Sequence, residues 1–171
     1  MSRQLLTLLT ICAPLSAAAF MMPALLGHGP VDPAWAATPL EGMAGYWSGG
    51  GQVAMSSGKT ERVKCAVTYK VGDAGGQIRQ SMRCASQDYT INALAELQVK
   101  GEQVSGSWEE KTYSAMGQVS GRYADNKLNL NIKGANFTAS MNLSLSDCKQ
   151  QISITPQGLD VSRINIALAK C

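Results

Sequence analysis

Beyond residue 36 the sequence alternates apolar and polar side chains almost without interruption, and no stretch carries the 3.6-residue period of an amphipathic helix. A period of two places successive side chains on opposite faces of a strand, so one face of each segment is apolar and the other polar. The clearest segments are Lys127 to Lys133, with Leu128, Leu130 and Ile132 on one face, and Asn136 to Leu145, with Phe137, Ala139, Met141, Leu143 and Leu145 on one face. Further strands are expected at Gln52 to Met55, Glu61 to Val71, Gln77 to Ala85, Tyr89 to Val99 and Gln103 to Lys111. Three more are expected at Tyr113 to Tyr123, Lys149 to Thr155 and Ser162 to Ala169. Turn signals separate them at Ser57-Gly58, Asp73 to Gly76, Lys100-Gly101, Ala124-Asp125-Asn126, Lys133-Gly134 and Pro156 to Asp160. Short connections favour an antiparallel meander, and one apolar face per strand favours a sheet curled around a single core. The expected fold is all-β: an up-and-down antiparallel barrel of about 8 to 10 strands. A closed barrel is preferred to a sandwich because closure removes unpaired strand edges and the tight turns leave few long crossovers. Ala37 to Met43 reads as a lead-in covering one end.

Residues 1–36 follow a different pattern. Arg3 precedes the apolar run LLTLLTICAPLSAAAFMMPALLG, which is followed by a polar break and Ala34-Trp35-Ala36. A basic start, an apolar middle and small residues before the cut describe a secretory signal peptide, with cleavage expected after Ala36. A cut after Ala19 would leave an apolar stretch on the mature chain and ranks lower. An uncleaved anchor is the rival reading, disfavoured by Pro14 and Pro23 within the run. A lipid anchor on Cys12 is disfavoured by the bulky Ile11 before it. Residues 37–171 then form one domain, expected in the periplasm or outside the cell.

Export gives the cysteines a meaning. The mature chain has Cys65, Cys84, Cys148 and Cys171, and an even set in an oxidising compartment implies disulfides. Cys65 and Cys84 are equidistant from the turn at Asp73 to Gly76, so a hairpin places them face to face. That leaves Cys148 with Cys171, straddling Pro156 to Asp160 with a looser match that a bulge at Val161 to Ile164 could absorb. No C-x-x-C motif suggests exchange chemistry, so both bonds read as structural.

Gly45-Tyr46-Trp47 opens the first strand and resembles the G-x-W start of lipocalin and avidin-type barrels, the calycins. The resemblance implies that Trp47 plugs one end of the barrel beneath a basic side chain from a late strand, for which Arg163 is the candidate. It does not extend to the second lipocalin motif, to a C-terminal helix or to a biotin-binding set. The same three residues also resemble the start of small, disulfide-bonded periplasmic inhibitors of secreted metalloproteases. Gly-x-Trp recurs at Gly106-Ser107-Trp108.

The composition limits the chemistry. The only histidine, His28, lies in the signal region, so histidine-dependent catalysis and histidine metal sites are excluded from the mature chain. Paired cysteines can be neither nucleophiles nor zinc ligands, and no S-x-x-K motif supports a serine activated by lysine. Gly49-Gly50-Gly51 lacks the Gly-Lys-Ser of a phosphate loop and reads as a bend in the first strand. Glu109 and Glu110 point to opposite faces of a strand and read as surface charge. The net charge of +3 is dispersed among alternating signs, which disfavours a nucleic-acid surface.

What remains is a binding role without a cofactor, a metal or an enzymatic step. Small residues recur on the apolar face: Ala93 and Ala95, Gly106, and Gly117 and Gly121. They either leave space inside the barrel or permit strong coiling of the strands. If space remains, Trp108, Tyr113, Tyr69 and Met82 are the expected walls for a small apolar or amphipathic ligand. The alternative is a protein-interaction module of the protease-inhibitor type, acting through Ala37 to Gly42 and the loops.

Overall fold

The computed structural model describes residues 40–72 and 75–171. The signal segment expected at residues 1–36, with its cleavage site, Cys12 and His28, lies outside the described residues, as do residues 37–39 and 73–74.

Ten antiparallel strands follow one another around a closed barrel: β1 (Gly45–Met55), β2 (Thr60–Gly72), β3 (Gln77–Ala85), β4 (Thr90–Lys100), β5 (Gln103–Glu110), β6 (Ala115–Ala124), β7 (Lys127–Lys133), β8 (Thr138–Ser146), β9 (Lys149–Gln157) and β10 (Val161–Ala169). Each strand pairs with its neighbours in sequence, and β1 closes the barrel on β10 from Ser48 opposite Ala169. The up-and-down topology is therefore the one the short connections imply, and among the described residues every strand is paired on both sides.

The two faces differ as the period of two requires. Val63, Cys65, Val67 and Tyr69 of β2 are buried, as are Leu128 and Leu130 of β7. The opposite positions, such as Lys64 and Lys70 or Asn129 and Asn131, are exposed. A barrel that spans an outer membrane has the reverse arrangement, apolar outside and polar inside.

Local chemistry sets the turns. Asp125 and Asn126 both have positive φ, 50° and 58°, in the two-residue connection from β6 to β7, a conformation in which short polar side chains are tolerated and which matches the twist of a hairpin. The sixth strand starts at Ala115 rather than at Tyr113, because the Glu110 carboxylate accepts the N–H groups of Thr112 and Tyr113 and holds that stretch in the turn. The first strand is longer than its alternation suggests. Gly49 and Gly51 lie within it, where a Cβ would collide with the carbonyl oxygens of Ala167 and Asn165 on β10.

Both disulfides form as the spacing implies. Cys65 stands opposite Cys84 in the β2–β3 register, with Cα atoms 4.1 Å apart, and both side chains belong to the core. Cys148 and Cys171 join with Cα atoms 5.4 Å apart. The bulge expected in β10 is present, with Ser162 as the extra residue between Arg163 opposite Ala54 and Val161 opposite Met55, but it faces β1. The offset of Cys148 and Cys171 is absorbed outside the strands, since Cys148 precedes β9 and Cys171 follows β10.

Candidate functional site

One end of the barrel is closed by packing. A single turn of 3-10 helix, Glu41–Met43, leads into β1, and Leu40 and Met43 are buried. Trp47 is 0% exposed, and its indole Nε1 donates to the Met43 carbonyl at 2.8 Å. A cation covers the ring, but it is Lys170 rather than Arg163. The Lys170 ammonium lies 5.0 Å from the ring centroid and donates to the carbonyls of Gly42 and Ala44 at 2.6 and 3.4 Å. Arg163 is exposed and stands opposite Ala54, at the other end of β1. The antiparallel register explains the correction: the start of the first strand faces the end of the last. The Cys148–Cys171 bond fixes the residue next to Lys170, so it also ties down this cap.

Above the cap, Tyr69 from β2 reaches Gln150 from β9. The Tyr69 hydroxyl donates to Gln150 Oε1 at 3.0 Å, and Gln150 is fully buried. Burial raises the Tyr69 pKa well above the ordinary phenol value, only partly offset by the bond to Gln150. The hydroxyl therefore stays protonated and acts as a donor.

From this floor a cavity of about 250 Å³ extends towards the open end, where the β5–β6, β7–β8 and β9–β10 connections lie. Its walls are nearly all hydrocarbon, from Ile91, Leu130, Met141 and Ile152 among others. Of the residues expected to form these walls, the fold brings Tyr69, Met82 and Trp108 together on the cavity. Tyr113 is 60% exposed in the β5–β6 turn and does not line it. Ala93 and Ala95 do border the space. The glycines do something else: a Cβ at Gly106, Gly117 or Gly121 would collide with the carbonyl oxygen of Glu96, Lys133 or Asn129 on the adjacent strand. They permit close approach of neighbouring backbones and tight coiling of the sheet.

The mouth also carries two groups not expected on the cavity from the sequence, Phe137 and Glu110. Trp108 and Phe137 line the cavity with ring centroids 5.6 Å apart and planes tilted by 56°, and Trp108 Nε1 donates to the Lys133 carbonyl at 3.4 Å. Glu110 is not surface charge. It is 7% exposed, lines the cavity, and accepts backbone N–H groups from Asn92 at 2.7 Å, Thr112 at 3.0 Å and Tyr113 at 2.6 Å. Burial pushes its pKa up, but the donors of Asn92, Tyr113 and Thr112 together push it further down, so it lies below the usual carboxylate value. The signal was present in the sequence, because Val104, Gly106, Trp108 and Glu110 occupy one face of β5. Elsewhere on the open rim, Lys59 bridges Glu61 at 2.8 Å and Asp88 at 3.0 Å, linking the β1–β2 and β3–β4 connections. Hydrogen bonds to Glu61 and Asp88 raise the Lys59 pKa, and the bond to Lys59 lowers that of Asp88. Among the described residues no group of His, Cys, Asp and Glu side chains is placed to hold a metal ion.

No protein-family model matches the sequence, and no curated protein does. Among solved structures, the chain resembles the S-type phycobiliprotein lyase of Guillardia theta, with 10% identity, a TM-score of 0.57, and 77% of this chain and 90% of that chain covered. At that identity the likeness concerns the fold. A closed ten-strand antiparallel up-and-down barrel is the class to which the architecture corresponds.

Proposed function

We propose that the chain is an exported, non-enzymatic barrel that holds a small apolar or amphipathic molecule in its interior. The observation that carries this reading is the cavity of about 250 Å³, closed at one end by the Trp47 cap and bounded by hydrocarbon. Burying an apolar ligand there removes hydrocarbon from water on both partners, and barrel mouths are frequent ligand sites. Tyr69, Met82 and Trp108 are the proposed contacts, with Phe137 added and Tyr113 removed. Two disulfides in so small a domain fit an oxidising compartment, in keeping with the signal pattern.

The non-enzymatic part rests on the walls. The ionisable side chains on the cavity are Tyr69, held by Gln150, and Glu110, held by three backbone donors. The protein-interaction alternative would act through Ala37 to Gly42 and the loops; among the described residues of that segment Leu40 is buried, while Glu41 and Gly42 are exposed.

Native mass spectrometry of protein purified from the cells that make it tests the proposal. A small molecule retained by the barrel and released by organic solvent is expected. An empty barrel accompanied by a stoichiometric protein would overturn it in favour of the interaction module.

A further inference from the structure

We propose that the molecule held in the barrel presents a cationic end, an ammonium or amidinium group on an apolar body, to the Glu110 carboxylate at the mouth. This rests on the ligand-binding reading above.

The first support is the distribution of charge. Every lysine and arginine among the described residues is exposed, whereas Glu110 is buried and Glu61 half-buried near the open end. No lysine or arginine lines the cavity, and Lys59 is engaged by Glu61 and Asp88. The ionised group on the cavity wall is therefore a carboxylate with no cationic partner on that wall. A ligand with a carboxylate head would place like charges together where water is partly excluded, and a cationic head would supply the missing partner.

The second is the unused bonding capacity of Glu110. An ionised carboxylate offers about four acceptor sites. Among the backbone donors, Glu110 Oε1 accepts from Asn92 and Thr112, and Oε2 accepts from Tyr113. A site on Oε2 is left for a ligand donor, and the three backbone bonds hold the group in place and ionised at neutral pH.

The third is the aromatic pair. Trp108 is the inward position before Glu110 on β5, about 7 Å away along the strand. Its ring and that of Phe137 border the same cavity. Aromatic faces beside a carboxylate are suited to an ammonium or amidinium group and give nothing comparable to an anion.

The test uses a series with one octyl body and three heads at neutral pH: octylammonium, octan-1-ol and octanoate, titrated calorimetrically into the full barrel. Octylammonium is expected to bind about tenfold more tightly than octan-1-ol, with octanoate weakest. Glu110→Gln keeps an oxygen to accept backbone N–H groups, and should abolish the preference for octylammonium over octan-1-ol. Trp108→Leu should narrow the same preference by a few-fold, and it serves if Glu110→Gln does not fold. Octanoate binding as tightly as octylammonium would overturn the proposal, as would an equal loss for all three heads in Glu110→Gln, which would make Glu110 only a pin for the β5–β6 turn. If none of the three binds, the ligand-binding reading itself falls and takes this one with it.

Discussion

Ala95 offers a test in which the sign of the effect decides whether the barrel is hollow. It lies on β4 between Gln80 of β3 and Trp108 of β5, and all three border the cavity. Ala95→Leu adds three carbons to the inward face. If they enter empty space, burial contributes about 2.4 kcal/mol at about 0.8 kcal/mol per carbon. Ordering the side chain takes back about 0.5 to 1 kcal/mol, leaving a net gain of about 1.4 to 1.9 kcal/mol. If the interior is already close-packed, the same substitution overpacks it and costs about 1 to 3 kcal/mol. The scale is plausible: at about 24 cal/mol per Å³, an empty space of about 250 Å³ costs on the order of 6 kcal/mol. Urea denaturation followed by circular dichroism measures the stability change, and titration with octan-1-ol measures the occupancy of the cavity. Higher stability with weaker octan-1-ol binding is expected. Destabilisation by more than about 1 kcal/mol with binding unchanged would refute the hollow interior.

Other consequences can be checked on the same protein. Replacing Cys148 and Cys171 together by Ser should lower stability by about 3 kcal/mol, read from the urea midpoint, and should loosen the Lys170 cap, read as a red shift in tryptophan emission. Lys170→Ala should cost about 0.5 to 1 kcal/mol through loss of the contact with Trp47, whereas Arg163→Ala should change stability by less than about 0.5 kcal/mol; equal losses would contradict the assignment of the cap. The depressed pKa of Glu110 gives a signed prediction. Its folded value lies below its unfolded one, so its contribution is fully present above the unfolded carboxylate range and is lost as pH falls through the folded value. The stability of wild type relative to Glu110→Gln should therefore shrink in acid below about pH 4, and a constant difference across that range would argue against an ionised Glu110.

The mouth and the cap together explain why the barrel has a direction. Hydrophobic side chains stand partly in water around the open end, with Leu159 46% exposed in the β9–β10 connection and Met116 70% exposed at the start of β6. The opposite end buries Trp47, Met43 and Leu40 behind a disulfide-tethered lysine.

The sequence by itself determined the architecture, because a period of two is a local property that any short segment reveals. Leu128, Leu130 and Ile132 had to share a face whatever lay opposite them. The Cys65–Cys84 pairing was legible for a similar reason, since in a hairpin register follows from distance to the turn. Three things depended on contacts between distant parts of the chain. Lys170 rather than Arg163 covers Trp47 because the closing β1–β10 register sets which end of the last strand meets the first. Gly106, Gly117 and Gly121 make room for neighbouring backbones rather than for a ligand, which only the curvature of the sheet could decide. Glu110 looked like one of two adjacent surface charges, until the folded turn brought three N–H groups around its carboxylate and balanced the cost of burying it. Periodicity assigns a side chain to a face; the closure of the barrel decides whether that face meets a partner, a backbone or a cavity.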